Sequence, residues 1–479
     1  MSTSFAAIDK MGFTQSQRDA VLALTKWYNS EDLICTLRGP AGTGKTYILD
    51  YFVNQVIKHS VVVTAPTHKA VRIVEQRIGK KSKTLQSLHG LRVNVNLETF
   101  NIDKIQFDPF GEPSFANYKI VIIDECSMIN SSLYDLNEQR AKQYKTKILY
   151  VGDDKQLPPV GETLSRCFTC KNQVILNEIV RQDKDNPLLT LLGLLREDVE
   201  KGTSKFISHI VANKTVINSI GEGYETLKTK PFTNKVIEVF NDKQFESNLD
   251  FVRYTAWTNK SIKEWNSFIR KKILPNSESV VTIDDVFTGY KTIVDEFLKP
   301  IIINSEDYIV ANVEYRKSDY GFFVYRTVLR NVYDGGTSAV EIVDHKHSSF
   351  IKYYNKLNNL HFEAIYSNSM ERGRKWKEYY NFKDRYLCLV NFDLKDDRRS
   401  ESRGTVTRDI DYGFGLTTHK CQGSTYENIF INVQDIAYYN DGSSIRLINY
   451  DKNAILLRNK LLYVAASRAS KKCYFLLNI

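Results

Sequence analysis

The sequence predicts an α/β fold with two mostly parallel sheets and a smaller inserted β-rich domain, and three observations lead there. From about residue 10 to 185, apolar runs alternate with amphipathic segments, the pattern of a parallel sheet flanked by helices. The alternation resumes at residues 252–260, an apolar strand that runs into a helix-like segment over 261–272. Between roughly 276 and 405 the runs become β-rich, with a charged, aromatic and helical stretch over 370–385.

A glycine-rich loop lies between the first apolar run, 33–37, and a helix-like stretch, 47–57. The loop consists of Gly39, Pro40, Ala41, Gly42, Thr43, Gly44, Lys45 and Thr46. Its glycines let backbone N–H groups point into one concavity, and the next helix N-terminus adds partial positive charge for phosphate oxygens. Lys45 is placed to reach the β- and γ-phosphates, and Thr46 to ligate Mg²⁺. The loop therefore predicts binding of a nucleoside triphosphate.

Polar side chains follow two further predicted strands. The run 118–123 ends in Asp124 and Glu125, and the run 147–151 opens into a turn that contains Gln156. Asp124 can hold Mg²⁺ through water, and Glu125 can polarise an attacking water. The amide of Gln156 can donate to a γ-phosphate and accept from water. Alone, these are more simply a solvated strand end and a Pro-rich turn, but downstream of a phosphate loop they predict hydrolysis.

Composition and charge exclude some classes of protein. Lys and Arg number 66 against 56 Asp and Glu, a net charge of +10 that is compatible with a polyanionic partner. Residues 1–10 hold no apolar leader, and no apolar run approaches the roughly 18 residues of a membrane span. Seven scattered cysteines indicate reduced thiols. Cys167 and Cys170 have metal-ligand spacing, but no second pair completes the four ligands of a structural zinc site.

The motifs occur in the order of the superfamily 1 helicases. The matching segments are Phe13-Thr14-x-x-Gln17, the glycine-rich loop, residues 64–70, Asp124-Glu125, residues 152–160, Val180-Arg181, residues 416–424 and residues 462–468. This set resembles the RecD-like, superfamily 1B branch, and within it the phage Dda-type helicases. The resemblance spans Phe13 to Arg468 and implies two RecA-like motor domains with ATP and Mg²⁺ as cofactors.

The resemblance also implies roles at the nucleotide. Gln17 would read the adenine, and Arg181 and Arg468 would approach the γ-phosphate, Arg468 from the second motor domain. A planar, permanently charged guanidinium suits that task, and arginine fingers in related sites are worth on the order of 10³ to 10⁵ in rate. The neighbours of Arg468 are serine and alanine, where family members commonly carry Thr and Arg. We therefore expect the finger to be kept and its flanking contacts to differ.

Two sets of residues are implied to contact single-stranded DNA. They are Pro66, Thr67, His68 and His89 in the first motor domain, and Thr417, Thr418, His419 and Lys420 in the second. Small hydroxyls and imidazoles can contact phosphates without reading sequence. For any one histidine a structural role explains the residue equally well, so the prediction depends on the set.

The resemblance divides the chain into domains. These are a first motor domain at 1–185 with a pin-like hairpin insertion at 91–117, a second motor domain at 186–275 and 406–479, and an SH3-like β-barrel or tower at 276–405. The pin would split the duplex with Phe107 or Phe110 against the terminal base pair. A plain surface hairpin fits the same residues equally well.

We expect an ATP-dependent DNA helicase and single-strand translocase, with 5′-to-3′ polarity taken from the branch alone, acting in replication, recombination or repair. Single-stranded and forked DNA are the expected partners of a monomer, with replication or single-strand-binding proteins as further candidates. The protein is expected to be soluble and intracellular, in a bacterial cytoplasm if the source is viral, without a membrane partner. Two alternatives stay open: an RNA-directed helicase of the same superfamily, and a non-unwinding ATPase that remodels protein–DNA complexes.

Overall fold

The computed structural model describes residues 12–91, 112–178, 180, 185–274, 277–295, 297, 299–395, 402–442 and 444–478. The chain forms two compact units, Met1–Ile262 with Leu416–Ile479, and Lys263–Gly415. Most of the predicted pin, including Phe107 and Phe110, lies outside the described residues, as does Arg181. Within the described ranges, no helix is both long enough and apolar enough to cross a bilayer.

Helices and strands alternate along the first unit, whereas the second is dominated by strands. The helices are α1 (Gln15–Tyr28), α2 (Lys45–Tyr51), α3 (His68–Ile78), α4 (Leu85–His89), α5 (Ser131–Tyr144), α6 (Leu188–Lys201), α7 (Lys205–Ala212), α8 (Thr229–Phe240), α9 (Lys243–Ser247), α10 (Asn259–Ile273), α11 (Phe350–Tyr366), α12 (Arg372–Arg385), α13 (Val433–Ala437) and α14 (Lys452–Ala466). The strands are β1 (Ile34–Arg38), β2 (Val61–Ala65), β3 (Lys83–Thr84), β4 (Ile120–Ile123), β5 (Lys147–Gly152), β6 (Asn172–Ile175), β7 (Thr215–Ile217), β8 (Gly223–Leu227), β9 (Val252–Ala256), β10 (Val286–Gly289), β11 (Ile293–Val294), β12 (Pro300–Ile302), β13 (Asp307–Lys317), β14 (Phe323–Asn331), β15 (Thr337–Val343), β16 (Tyr386–Leu387), β17 (Phe392–Lys395), β18 (Ser402–Val406), β19 (Ile410–Tyr412), β20 (Gly415–Thr417), β21 (Tyr426–Asn432), β22 (Tyr438–Asn440), β23 (Ile445–Leu447) and β24 (Ala469–Leu476).

The first sheet has the order β3-β2-β4-β5-β1-β6, and every neighbouring pair is parallel. The part of the first unit built on this sheet is called the first lobe below. Its central strand β4 is buried on both faces, which explains its unbroken run of Ile and Val. Ile120 and Ile122 join one apolar cluster with helices α1 and α2, while Val121 and Ile123 join another with α4 and α5. The sheet is therefore the middle layer of three.

The second sheet has the order β20-β9-β21-β24-β8-β7. Strands β9, β21, β24 and β8 pair in parallel, and β7 pairs antiparallel with β8 at the edge. The part of the first unit built on this sheet is called the second lobe. Helices α6, α7 and α14 supply leucine, isoleucine and valine side chains to its main apolar cluster. The expectation of two mostly parallel sheets is confirmed.

The second unit holds a six-stranded sheet of order β16-β15-β14-β13-β10-β19. Its pairs are antiparallel except for the short parallel pair of β15 with β16. Helices α11 and α12 pack together and share an apolar cluster with β14, β15 and β16. The β-rich inserted domain is confirmed, and its closure into a barrel stays a prediction.

A buried ion pair lies in the second unit. Both side chains are almost completely buried, and the Arg270 guanidinium donates to Asp285 Oδ1 at 2.5 Å and Oδ2 at 2.8 Å. The same guanidinium also donates to the carbonyls of Ser277 and Ser279. This geometry satisfies a charge that would otherwise be costly to bury.

Asp285→Ala is expected to lower the free energy of unfolding of the second unit by about 3 to 5 kcal/mol, because the Arg270 charge stays buried without its partner. Urea denaturation of the full chain followed by circular dichroism measures the change. The control is Asp319→Ala, because the Asp319 side chain is 80% exposed in its pair with Arg385 and should contribute no more than about 1 kcal/mol. Equal effects of the two substitutions would contradict the assignment.

Candidate active site and nucleic-acid interface

The glycine-rich loop joins the end of β1 to the start of α2, and steric constraints explain its glycines. Gly42 and Gly44 have left-handed φ values of 86° and 80°. A Cβ atom at Gly44 would lie 2.5 Å from Gln17 Nε2, and one at Gly39 would lie 2.7 Å from the carbonyl oxygen of Leu176. The loop therefore has no room for a side chain at Gly39 or Gly44.

Lys45 is the first residue of α2, and its ammonium lies over this loop. Nζ donates to the carbonyl oxygens of Gly39 and Pro40, both at 2.8 Å. Thr43 Oγ1 donates to the Pro40 carbonyl at 3.0 Å and keeps the loop closed. Thr46 follows in the first turn of the helix and is half-buried. A cation and a helix N-terminus converge on the concavity, which is the arrangement of a nucleotide-phosphate site.

Gln17 is 3% exposed and supports this loop from behind. Its Nε2 donates to the carbonyl oxygen of Thr43 at 3.1 Å, and its Oε1 accepts from the backbone N–H of Thr14 at 3.1 Å. The second bond belongs to the capping box that starts α1. Both ends of the amide are thus bound within the protein, and adenine recognition by Gln17 stays a prediction.

Asp124 and Glu125 leave the end of β4 beside the loop. Burial and the neighbouring Glu125 carboxylate raise the pKa of Asp124 to about 6, against the opposing effects of the Glu125 N–H and the Lys45 and Arg77 charges. Glu125 has a φ of 52°, a left-handed conformation that is uncommon for a residue with a side chain. A Cβ atom at Gly423 in the second lobe would lie 4.0 Å from Glu125 Oε1. The strained turn therefore directs Glu125 to the place where the lobes meet.

Gln156 is 5% exposed, and its Oε1 has no hydrogen-bond partner among the described residues. Buried acceptors are normally satisfied, so this atom fits the predicted contact with a water or ligand donor. The backbone N–H of Gln156 donates to the carbonyl of Asp153 at 3.2 Å, which fixes the turn after β5.

Tyr463 joins this turn to the second lobe. Its hydroxyl donates to Asp153 Oδ2 at 2.6 Å, and both side chains are buried. Burial and the Asp153 carboxylate raise the pKa of Tyr463. The sequence match included Tyr463 but assigned it no role. The sequence signal that could have drawn attention to Tyr463 was its place in the matched segment 462–468, which also contains the predicted arginine finger Arg468.

Arg468 is 5% exposed and donates to acceptors of its own lobe. These are the carbonyls of Val464 at 3.2 Å and Ser424 at 3.1 Å, and Ser467 Oγ at 2.9 Å. The serine beside the finger thus supplies one of its contacts. The other predicted finger, Arg181, lies outside the described residues.

The first-lobe set for nucleic acid lies at the start of α3. Thr67 is the N-cap, and its hydroxyl accepts from the N–H of Ala70 at 3.2 Å. His68 follows half-buried, and burial together with Arg72 lowers its pKa to about 4, so the imidazole is neutral at pH 7. Pro66 is buried at the turn. His68 therefore begins α3 as a neutral imidazole in this structure.

The second-lobe set spans the last residue of β20 and the turn that follows it. Thr417, His419 and Lys420 are half-buried, whereas Thr418 is completely buried. Thr418 Oγ1 lies 3.3 Å from the Thr255 hydroxyl and from the Ala256 carbonyl. The structure therefore keeps Thr418 in the core, because its hydroxyl joins the turn to β9, and does not bring it to the surface.

His89 is also a core residue in this structure. It is 1% exposed, its Nε2 lies 2.8 Å from Asn137 Oδ1, and its ring lies 4.9 Å from that of Phe115. Burial lowers the pKa of His89 to about 4. The packing of α4 against these groups accounts for the residue, and a DNA contact by His89 stays a prediction.

A cavity of about 510 Å³ opens beside His419. Its lining consists of Met128, Leu157, Pro158, Pro159, Val160, Gly161, Glu162, Thr163, Trp257, His419, Gln422, Asn453, Leu456, Leu457 and Lys460. Lys460 Nζ donates to the Thr163 carbonyl at 3.2 Å. The cavity therefore lies between the two lobes.

Cys167 and Cys170 are free thiols, and no group of three or more metal-binding His, Cys, Asp or Glu side chains occurs in the described part of the chain.

Comparison with known proteins identifies a family domain over the first lobe and part of the second. Residues 12–212 match the model of the AAA_30 family, described as an AAA domain. The ATP-dependent DNA helicase Dda of Enterobacteria phage T4 is 27% identical over 294 residues, 58% of this chain and 62% of Dda. An uncharacterised protein, R530, of Acanthamoeba polyphaga mimivirus is 23% identical over 92% of this chain and 94% of its own length. The crystal structure of the Pif1 helicase from Candida albicans aligns with a TM-score of 0.48 and 15% identity, covering 97% of this chain and 94% of that one.

Gly44→Ala is expected to weaken nucleotide binding by tenfold or more, because the new methyl group meets Gln17 Nε2 at 2.5 Å in a left-handed backbone. Titration with a fluorescent ADP analogue measures the affinity. Gly79→Ala is the matched control, since Gly79 has a similar φ of 66° but no heavy atom within 4 Å of the added Cβ. Loss of affinity in both variants would show that backbone strain alone, and not the loop geometry, is responsible.

Proposed function

We propose that this chain, a superfamily 1B helicase of the RecD-like branch, is an ATP-dependent DNA helicase and single-stranded DNA translocase. The observation that carries the proposal is the position of Glu125. Glu125 follows β4 of the first lobe, yet a Cβ atom at Gly423 of the second lobe would lie 4.0 Å from its Oε1. A hydrolytic site built on both lobes lets the nucleotide state change how the lobes meet, which is how such a motor moves.

ATP and Mg²⁺ fit the residues of the site. Thr46 and Asp124 would hold Mg²⁺, because a hydroxyl and a carboxylate are the hard oxygen ligands that it takes beside phosphate oxygens and waters. Burial raises the pKa of Asp124 to about 6, so a bound cation at this carboxylate would be favourable. The ion would neutralise developing phosphate charge.

Each protein group then has a distinct task in hydrolysis. Lys45 and the loop N–H groups bind the phosphates, and Glu125 accepts the proton of the attacking water. Gln156 Oε1 accepts a hydrogen bond from the same water or a neighbouring donor. Arg468, with Arg181, completes the charge stabilisation when the lobes close, after Arg468 leaves its acceptors at Val464 and Ser424.

DNA is the proposed partner because each lobe presents half-buried, solvent-accessible members of the predicted sets. Thr67 and His68 in the first lobe, and Thr417, His419 and Lys420 in the second, would contact phosphates and sugars. The net charge of +10 favours such a polyanion. The relative Dda is named a DNA helicase, and we extend that substrate class to this chain. Movement from 5′ to 3′, a monomeric state and a role at forked DNA in replication, recombination or repair follow from the branch.

ATP hydrolysis by the purified protein, with and without single-stranded DNA, tests the proposal first. Lys45→Ala serves as the blank, and RNA of the same sequence serves as the comparison. Stimulation by DNA alone, followed by unwinding of a fork with a 5′ tail, supports it. Stimulation by RNA alone would assign an RNA-directed motor, and displacement of a bound protein without duplex opening would assign a remodelling ATPase. Hydrolysis indifferent to both nucleic acids would overturn the helicase assignment.

Glu125→Gln is expected to keep ATP binding and to lower hydrolysis by about 10² or more, because the amide cannot take the proton of the attacking water. Nucleotide titration and steady-state phosphate release separate the two effects. Turnover close to that of the wild type would remove Glu125 from the catalytic role.

His419→Ala is expected to weaken DNA-stimulated hydrolysis more than basal hydrolysis, because its ring would contact DNA and not the nucleotide. The measurement compares turnover over a range of oligonucleotide concentrations. His209→Ala in α7 is the control. This histidine is also half-buried, and its side chain lies near Asn213 of its own lobe, away from the proposed nucleotide-binding and DNA-binding residues. A parallel loss of basal and stimulated turnover in His419→Ala would indicate a structural role.

A further inference from the structure

A lysine at the start of α3 crosses from the first lobe to the second. Lys69 is 6% exposed, and its Nζ lies 3.1 Å from Asp250 Oδ1 and 5.2 Å from the centroid of the Tyr426 ring. Asp250 lies in the turn before β9, and Tyr426 begins β21. A cation of the first lobe is therefore buried by groups of the second, and the sequence match over residues 64–70 assigned it no role.

Residues 423–426, which include the tyrosine under the Lys69 ammonium, also lie beside residues of the nucleotide site from both lobes. A Cβ atom at Gly423 would lie 3.8 Å from Ala70 Cβ and 4.0 Å from Glu125 Oε1. Arg468 donates to the Ser424 carbonyl at 3.1 Å, and the N–H of Tyr426 donates to the Arg468 carbonyl at 2.8 Å. The start of α3, the carboxylate of Glu125 and the guanidinium of Arg468 thus share one short segment.

The charges around Lys69 make its contact with Asp250 and Tyr426 dependent on how the two lobes are arranged. The Arg253 guanidinium, completely buried, also lies over the Tyr426 ring, at 5.0 Å. Burial raises the pKa of the nearby Cys421 thiol, while its hydrogen bond with Thr255 and then the charges of Arg253, Arg468 and Lys69 lower it. Asp250 and the ring face offset the repulsion and desolvation of Lys69 only while the lobes are together.

We propose that Lys69 is a positioning residue that couples DNA binding at residues 66–68 to closure of the second lobe on the nucleotide site. This inference rests on the proposed function. Lys69 directly follows His68 in the first turn of α3, so a shift of that turn on DNA moves the ammonium against residues 423–426. These residues hold Arg468 and face Glu125, and they transmit the shift to both.

Coupling between two ligands is reciprocal, which makes the proposal measurable from either side. The factor by which a non-hydrolysable ATP analogue changes the affinity for oligo-dT must equal the factor by which oligo-dT changes the affinity for the analogue. A residue that merely stabilises the fold would lower the melting temperature and leave this factor unchanged.

Lys69→Met in the full chain keeps the apolar stem and removes the charge. We expect the coupling factor to fall to within about twofold of one, and the stimulation of hydrolysis by DNA to fall about tenfold, an energy of about 1.4 kcal/mol. Basal turnover should change by less than twofold. Lys69→Arg, which keeps the charge and the contact with the Tyr426 ring, should restore most of the stimulation.

Asp250→Asn should reproduce the loss, and the double variant Lys69→Met with Asp250→Asn should be no worse than Lys69→Met alone, because both remove one contact. The matched control is Lys235→Met, which removes a surface pair with Glu238 at 2.7 Å in α8. Asp250→Asn decides the question if Lys69→Met lowers the melting temperature, since the Asp250 side chain is 37% exposed. Wild-type coupling in either variant would overturn the proposal, whereas absence of DNA stimulation in the wild type would instead overturn the proposed function.

Discussion

The parallel pairing of β1, β4 and β5 is the constraint on which the nucleotide site depends. Their registers pair Arg38 with Gly152 and Ile123 with Tyr150, so the three strands reach the same edge together. Because parallel strands place their carboxyl ends on one side, the chain must deliver the glycine-rich loop, Asp124 and the Gln156 turn to one place. A single antiparallel strand among them would have separated the phosphate-binding groups from the hydrolytic ones.

Much of this arrangement is predictable from sequence because the chemistry is local. The glycines of the phosphate loop, the apolar run before Asp124 and the turn around Gln156 each carry their own steric or hydrophobic signal. Helix α11 was not predicted, because its asparagines and aromatic residues have modest helix propensity. Its buried residues Tyr353, Leu357, Leu360 and Ala364 nevertheless follow helical spacing.

The rest could not be predicted, because it depends on which side chains meet across the fold. A motif places Thr418 beside His419, but only the position of β9 shows that the Thr418 hydroxyl is bound in the core. The side chains of Gln17 and His89 likewise form hydrogen bonds with residues distant in sequence, Thr43 and Asn137 respectively. Lys69 lies in the matched segment 64–70, but its role is not predictable there, since its partner Asp250 lies 181 residues further along the chain.

Leu157 belongs to the turn of the first lobe yet is completely buried in the apolar cluster of the second. Separating the lobes would therefore expose a leucine to water, which costs about 1.5 to 3 kcal/mol near room temperature. Hydrophobic stabilisation weakens on cooling. The closed arrangement of this molecule thus has a built-in dependence on temperature, and its lobes are held together less firmly in the cold.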